Sequence, residues 1–312
     1  MIIASAASVY REVSHFRRQR EYRRKQERVP HISLLRCGFL ALTLFALALP
    51  GQPPAPALHP YTALYVFGDS YSDTGAGFLY SDGPTAIAYL AQRLQIPFTY
   101  YGAADAKNKS LNFAVSAART GSDPGHRTGP NALFSFGMKN QVEEFAALLH
   151  SSQLHFDPAQ TLFFLAGGLN DRGTPPGYTR TNEEEEIDTL YALGARRFMV
   201  ALLPTQIPAF ASAGETFNPE LARIPAEERA RHPDIRIATS NWGLFFDQVI
   251  THPVQYGLID TTTPCARLPS FNTPAPACPS PSTHFYYFNA HPSTAVHRAV
   301  GDLHYTETLI HP

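Results

Sequence analysis

The chain has 312 residues, 44% of them hydrophobic and 16% charged, with a formal net charge of −1 at pH 7. This composition supports one large α/β domain with a substantial core. Nine Lys and Arg against three Glu give residues 1–36 a net charge of +6, so the rest of the chain carries −7. An acidic body offers no footprint for nucleic acid, and we expect no nucleic-acid partner.

An apolar run of about 13 residues, Cys37–Leu49, follows the basic arm. It is short for a membrane span of roughly 20 residues and fits the apolar core of a secretory signal. We expect residues 1–58 to be a basic arm with a signal peptide or short anchor, and residues 59–312 to be a single domain. A cleaved signal predicts secretion. The alternative is that this apolar segment stays uncleaved as a membrane anchor. The chain would then contact a membrane only through that segment.

Apolar, strand-like runs alternate with helical patterns through the rest of the chain. Strands are predicted at residues 63–67, 111–115, 161–165, 197–203 and 257–260. Helices are predicted at residues 84–94, 139–150, 182–193, 239–250 and 293–305. The alternation indicates a three-layer α/β/α sandwich with a central, mostly parallel sheet.

Two segments in the middle of the chain need separate interpretation. Thr181 and Glu184 fit a capping box, so the acidic run Glu183–Glu186 is interpreted as the solvated first turn of a helix. Residues 204–238 contain several prolines and are predicted to form an irregular excursion over the strand ends. Such excursions commonly shape a substrate pocket.

Four short blocks follow one another along the chain, three of them at predicted strand ends. Phe67–Gly75 places Ser70 on a Gly-Asp-Ser turn after the first strand. Asn112–Ala118 ends the second strand, and Gly167–Asp171 follows the third. The block His291–His297 precedes the last helix. Ligands of open parallel sheets bind outside the carboxyl ends of the strands, so we expect the first three blocks to converge on one crevice that the fourth reaches.

In this order and at these separations, the blocks resemble those of the GDSL/SGNH hydrolases, over roughly residues 62–310. The resemblance implies a flavodoxin-like SGNH hydrolase fold and the hydrolysis of carboxylic esters, with no cofactor and no metal. It implies Ser70 as the nucleophile and His291 as the general base. It also implies an oxyanion hole made by the main-chain amides of Ser70 and Ala117 and the side-chain amide of Asn170.

These residue types suit ester hydrolysis. A serine hydroxyl attacks an ester once a base takes its proton, and an imidazole with a pKa near 6.5 suits that transfer. A following helix N-terminus would favour the negative charge that develops near Ser70. Asp69 and Asp73 lack metal-ligand spacing, so Asp69 is interpreted as supporting local N–H groups and Asp73 as the start of that helix. Gly168 is a supporting residue of the loop that carries Asn170.

Two positions depart from the family pattern. Ala117 stands where the family usually has a Gly, and its main-chain donor is kept if the backbone there is free of strain. Phe288 stands where the family usually has the Asp that orients the catalytic His. The predicted consequence is a Ser-His dyad, with the Nδ1–H of His291 held by a main-chain carbonyl near Phe288 or by the side chain of Asn289.

Cys265 and Cys278 bracket a Pro-rich stretch and, behind an export signal, predict one disulfide. The expected substrate is a small ester, either an acyl lipid or an acetylated carbohydrate. The aromatic run Phe285–Phe288 is interpreted as part of the substrate site or as core. The alternatives to a hydrolase are a catalytically degenerate binding or surface protein and an acyltransferase that admits a sugar hydroxyl in place of water.

Overall fold

The structure is a computed structural model that describes residues 60–128, 133–266 and 277–311. These residues belong to one compact unit. The basic arm, the signal peptide or anchor and the boundary at residue 58 lie outside the described residues and stay predictions. Within the described ranges, no helix has both the length and the apolar character that crossing a membrane requires.

Ten strands are present in the described part of the chain. In chain order they are β1 (Ala63–Gly68), β2 (Phe98–Tyr100), β3 (Ser110–Asn112), β4 (His126–Arg127), β5 (Leu133–Phe134), β6 (Thr161–Ala166), β7 (Arg197–Ala201), β8 (Arg236–Ser240), β9 (Tyr286–Phe288) and β10 (His291–Pro292). Six of them form a parallel sheet in the order β2-β3-β1-β6-β7-β8. Without the edge strand β2, this is the flavodoxin-like strand order.

Seven α-helices connect and flank the sheet in the described ranges. They are α1 (Ala86–Arg93), α2 (Met138–His150), α3 (Tyr178–Ala192), α4 (Ala211–Leu221), α5 (Ile224–Arg231), α6 (Trp242–Thr251) and α7 (Thr294–Ile310). Helices α1 and α6 pack against α7, and α2 packs against α3. The predicted α/β/α sandwich with a parallel central sheet is confirmed.

Strands β1 and β6 lie at the centre of the sheet and pair over six residues, from Ala63 with Thr161 to Gly68 with Ala166. Their residues are almost all buried, as expected of strands that helices cover on both faces. The close approach at the carboxyl end needs a glycine, because a Cβ on Gly68 would lie 2.7 Å from the carbonyl oxygen of Ala166. The two strands therefore end level, and the loops that follow them start side by side.

The predicted elements are mostly present, with one wrong strand. All five predicted helices exist, with their ends displaced by at most five residues. The strand predicted at 257–260 is wrong, because this segment makes only an isolated bridge between Asp260 and His284. The last strand of the sheet is instead β8, which begins at the end of the region predicted as irregular, where α4 and α5 also lie, and runs two residues into the predicted helix 239–250. This edge strand is polar and only partly buried, so it lacks the continuous apolar run that marks a central strand.

Glu183 and Glu186 are buried, which contradicts the solvated first turn predicted for them. Helix α3 begins at Tyr178 without a side-chain cap, so the two carboxyl groups lie within the helix and not at its start. Among the described residues, no hydrogen bond of normal geometry reaches their oxygens. Burial raises the pKa of both groups well above the usual range, and the neighbouring charges of Asp171 on Glu183 and of Glu183 on Glu186 raise it further.

Replacing Glu183 or Glu186 by Gln is expected to stabilise the domain at alkaline pH. The unfolded chain loses each proton near pH 4.5, whereas the folded domain keeps it to a much higher pH, so stability falls as pH rises above about 4.5. Gln has no proton to lose. The gain in melting temperature should be near zero at about pH 4.5 and grow toward pH 8, by about 2–4 °C for each kcal/mol. The exposed Glu185→Gln is the control, and a gain independent of pH would contradict the prediction.

Candidate active site

Ser70 and His291 meet in space although 221 residues separate them. Ser70 follows β1 by two residues, and its Oγ lies 2.8 Å from Nε2 of His291, the first residue of β10. Only 8% of the Ser70 surface is exposed. Residues 70–85 form turns and irregular backbone, and α1 begins at Ala86. The predictions that a helix N-terminus follows Ser70 directly and that Asp73 starts it are therefore wrong.

A tight hairpin carries His291. Strands β9 and β10 pair antiparallel, with Phe288 opposite His291. Asn289 in the turn has a φ of +48°, a left-handed conformation that Asn tolerates better than most residues. The side chain of Asn289 makes no hydrogen bond to His291 among the described residues. Its predicted role as the orienting acceptor is therefore replaced by a backbone role in the turn.

The second imidazole nitrogen of His291, Nδ1, interacts with the main-chain oxygen of Phe288, one of the two predicted acceptors, but without the geometry of a normal hydrogen bond. This nitrogen is buried, and no acceptor among the described residues reaches it with normal geometry. Burial lowers the pKa of His291 to about 4, and the main-chain oxygen of Phe288 opposes this shift. The imidazole is therefore neutral above about pH 4, the state in which Nε2 can accept a proton from Ser70.

The predicted oxyanion donors follow three adjacent strands of the sheet: Ser70 follows β1, Ala117 follows β3 and Asn170 follows β6. Within the described ranges, no hydrogen bond uses the main-chain amide of Ser70 or of Ala117. The side-chain amide of Asn170 donates to the main-chain oxygen of Ala118 at 2.9 Å. An amide nitrogen carries two hydrogens, so the second can serve another acceptor.

The backbone at Ala117 is strained. Its φ is +66°, in the left-handed region. This conformation costs a residue with a Cβ roughly 1–2 kcal/mol, whereas a Gly adopts it freely. The main-chain donor is present at Ala117, although the condition set for it, a backbone free of strain, is not met.

Asp73 ties the loop after β1 to the loop after β3. Its buried carboxylate accepts hydrogen bonds from the amide of Gly75 in its own loop and from the amide and hydroxyl of Ser116 in the other. Asn112 adds a second tie, since its side-chain amide donates to the main-chain oxygen of Ser72 at 2.6 Å. The sequence places these residues in the right blocks, but their bonding depends on the pairing of the loops.

Asp171 ties the loop after β3 to the start of α3. Its carboxylate accepts hydrogen bonds from the amide and hydroxyl of Thr120 and from the hydroxyl of Thr179. Gly168 has a φ of +106°, and a Cβ there would lie 3.0 Å from the Thr179 side chain. The predicted supporting role of Gly168 thus has two physical causes, its conformation and its close packing.

Two residues hold the turn that carries Ser70. Gln141 of α2 donates to the main-chain oxygen of Gly68 and accepts from its amide, both at 2.9 Å. A Gln within a helix carries no signal of such a role in the sequence. Asp69 is fully buried and accepts from the amide of Tyr71, as its predicted supporting role requires. Burial raises the pKa of Asp69 to about 7.

Aromatic side chains surround the imidazole of His291. The ring of Tyr80 lies 4.5 Å from the imidazole and stacks on Phe288, with centroids 5.4 Å apart. Phe210, in the Pro-containing segment before α4, has its ring 6.5 Å from that of His291. The segment predicted to shape a pocket therefore reaches the site. The first half of the predicted aromatic run, Phe285–Tyr286, is buried core.

Cys265 and Cys278 form the predicted disulfide. Ala266, the next residue along the chain, bridges to Phe288 of the hairpin. The disulfide thus restrains the segment that pairs with the hairpin carrying His291.

One cluster in the described ranges has the arrangement of metal ligands. Ligand atoms of Asp188, Glu228 and His232 lie within 4.8 Å of one another. The guanidinium of Arg231 contacts Glu228 and supplies a positive partner. The cluster shares no residue with the four sequence blocks, and the expectation of a metal-free mechanism stays a prediction.

A parallel α/β/α sandwich with a serine-histidine pair at the carboxyl edge of its sheet is the arrangement of an α/β ester hydrolase. The chain matches the family model GDSL-like Lipase/Acylhydrolase over residues 64–303. This match spans the three blocks at the strand ends and the block at His291. The chain belongs to the GDSL-like lipase/acylhydrolase family.

Several solved structures have a similar fold. A lipolytic protein of the G-D-S-L family from Veillonella parvula is 13% identical, with a TM-score of 0.43, and the alignment covers 77% of this chain and 94% of that one. Est24, a carbohydrate acetylesterase from Sinorhizobium meliloti, is 12% identical, with a TM-score of 0.41 and coverage of 80% and 98%. The aryl esterase of M. smegmatis is 16% identical, with a TM-score of 0.39 and coverage of 80% and 100%. A comparison with the curated proteins finds no match.

Replacing Ala117 by Gly is expected to stabilise the domain by about 1 kcal/mol, because it removes the strain of a positive φ. Thermal unfolding should show a melting temperature about 2–4 °C higher. Ala118→Gly is the control: Ala118 lacks a positive φ, so the same exchange next door should destabilise. Because the main-chain amide is retained, esterase turnover of Ala117→Gly should stay within about threefold of the parent. A lower melting temperature for Ala117→Gly would contradict the conclusion that the backbone at Ala117 is strained.

The low pKa of His291 predicts that ester hydrolysis with this imidazole as the base would tolerate acid. The base must be neutral to accept a proton, so kcat/KM should stay level from pH 7 down to 5 and fall with a midpoint near pH 4. A midpoint near 6.5 would contradict the burial effect.

Any inflection of the kcat/KM profile near pH 7 is assigned to Asp69 and should disappear in Asp69→Asn. Stability itself should fall as pH drops from 6.5 to 4, since the unfolded His takes up protons first, so brief assays with a folding check are needed.

Proposed function

We propose that this protein is a secreted serine ester hydrolase that works through an acyl intermediate on Ser70, with His291 as the general base. The observation that carries the proposal is the 2.8 Å contact between Ser70 Oγ and His291 Nε2. Membership of the GDSL-like lipase/acylhydrolase family supports the reaction class. The substrate is a small ester, either an acyl lipid or an acetylated carbohydrate.

In the first half-reaction, Nε2 of His291 takes the proton of the Ser70 hydroxyl as Oγ attacks the ester carbonyl carbon. The carbonyl oxygen becomes negative and receives hydrogen bonds from the amides of Ser70 and Ala117 and from the side chain of Asn170. The imidazolium then gives its proton to the departing alcohol, and the acyl group stays on Ser70. In the second half, the same base activates a water, which releases the acid and restores the hydroxyl.

The free donors at the strand ends support this reaction. The amides of Ser70 and Ala117 have no partner in the described structure, so a substrate oxygen would not have to displace one. The Asn170 amide is held in place by its bond to the Ala118 oxygen. Donors that are already oriented before the reaction stabilise the transition state without a free-energy cost of reorienting them.

Secretion is supported by two features of the chain. The basic arm and apolar run at the N-terminus fit an export signal. The Cys265–Cys278 disulfide is of the kind that persists in oxidising compartments. Expression of the full-length chain, followed by N-terminal sequencing of the protein in the medium, would separate a cleaved signal from an anchor.

Turnover of p-nitrophenyl acetate by the purified protein is the test. Ser70→Ala is expected to abolish it, while Ser72→Ala, which removes a hydroxyl two residues away, leaves it unchanged. Asn170→Ala should lower kcat by about 10²–10³ if its amide stabilises the oxyanion. Circular dichroism of each variant checks the fold. Wild-type turnover in Ser70→Ala would end the proposal.

The same assay separates the alternatives. A binding protein would show no turnover that depends on Ser70. Product analysis in the presence of a sugar acceptor would reveal acyl transfer as an acylated sugar. A series of acetate, octanoate and palmitate esters then distinguishes a deacetylase from a lipase.

A further inference from the structure

Tyr71, the residue directly after Ser70, reaches across the site to the hairpin that carries the base. Its hydroxyl donates to the main-chain oxygen of Ala290 at 2.5 Å. Ala290 immediately precedes His291 in the chain. The residue next to the predicted nucleophile is thus bonded to the residue next to the predicted base.

The ring of Tyr71 is buried and tightly packed, and this packing fixes the position of its hydroxyl. Only 1% of Tyr71 is exposed. Its ring meets Phe210, Trp242 and Phe246 edge to face, with centroids 5.4–5.6 Å apart. It also contacts the imidazole of His291, at 5.3 Å between centroids. Burial keeps the pKa of Tyr71 well above 10, so its hydroxyl remains a donor throughout the working range of pH.

Other hydrogen bonds to the imidazole are few. Nδ1 makes no hydrogen bond of normal geometry in the described structure, either to the main-chain oxygen of Phe288 or to the Asn289 side chain. The β9–β10 pairing itself is irregular between His291 and Pro292. The regular ladder of the hairpin is therefore interrupted directly after His291.

Covalent bonds and hydrogen bonds close a ring around the site. Ser70 is joined to Tyr71 by a peptide bond, Tyr71 to Ala290 by its hydroxyl, and Ala290 to His291 by a second peptide bond. The ring closes through the bond between Nε2 of His291 and Oγ of Ser70. Any shift of the hairpin away from β1 must break one of these two hydrogen bonds.

We propose that Tyr71 is a positioning residue: its bond to Ala290 sets the distance between the imidazole of His291 and the hydroxyl of Ser70. Tyr71 orients the imidazole through the main chain. A carboxylate at position 288, which this chain lacks, would orient the imidazole through Nδ1. This inference rests on the proposed function, since it assigns Tyr71 a part in that same reaction.

Tyr71→Phe tests it, because the exchange removes the hydroxyl and keeps the ring. We expect kcat for p-nitrophenyl acetate to fall about 10- to 100-fold, as for small misplacements of catalytic groups, with KM within about twofold. Tyr89→Phe is the matched control. Its hydroxyl bonds to Thr294 Oγ1 at 2.8 Å, at the start of α7 and close to His291 in the chain. It should lose stability to a similar degree and keep its kcat.

The outcomes separate the two proposals. Wild-type kcat in Tyr71→Phe, with Ser70→Ala inactive, overturns the role of Tyr71 and leaves the hydrolase. Equal losses of kcat in Tyr71→Phe and Tyr89→Phe overturn it too, since they indicate a general loss of packing. Turnover that survives Ser70→Ala overturns the proposed function itself.

A second measurement does not depend on the folding of a variant. A crystal structure of the wild-type enzyme with Ser70 phosphonylated is expected to keep Tyr71 Oη within about 3.2 Å of the Ala290 oxygen. A gap too wide for a hydrogen bond, with His291 still beside Ser70, would overturn the inference.

Discussion

The site is built on the register between β1 and β6. Six consecutive residue pairs hold these strands level, and Gly68 lets the last pair approach closely. A slip of one residue would move one loop by about 3.3 Å along the sheet and turn its side chains to the opposite face. The alignment of the loop that carries Ser70 after β1 with the loop that carries Asn170 after β6 would not survive such a shift. Backbone pairing therefore places these two loops side by side before any side chain of the site contributes.

Buried carboxylates then convert neighbouring loops into one rigid edge. Asp73 and Asp171 are fully buried, yet each accepts several hydrogen bonds from a second loop or helix, which offset part of the cost of removing a carboxylate from water. Glu183 and Glu186 are buried equally well without such donors. This difference explains why Asp73 and Asp171 connect neighbouring segments. Glu183 and Glu186, by contrast, are held in the neutral form and weaken the fold as pH rises.

His291, the proposed base, is positioned by geometry and not by charge. In the described structure, Nδ1 of His291 makes no hydrogen bond of normal geometry, and burial lowers the pKa of the ring to about 4 against the opposing effect of the Phe288 main-chain oxygen. A neutral imidazole accepts a proton readily, but the imidazolium formed lacks the nearby carboxylate that would stabilise it. The site compensates through placement, with free main-chain donors at two strand ends and the hairpin tied to Tyr71. Such a site trades the strength of its base for tolerance of acid.

The sequence by itself determined the fold class, from the alternation of strand and helix patterns, and the disulfide pair, from two cysteines around a Pro-rich stretch. It also indicated the positions of Ser70, Ala117, Asn170 and His291, because each of these four stands in a local pattern after a strand or before a helix. Other features have no local signature. The burial of Glu183 depends on which face of α3 meets the sheet, and β8 is a strand only because β7 lies beside it. The left-handed turn at Asn289 and the reach of Tyr71 to Ala290 likewise arise only when distant segments meet. Patterns of nearby residues specify elements, whereas contacts between elements decide burial, strain and hydrogen-bond partners.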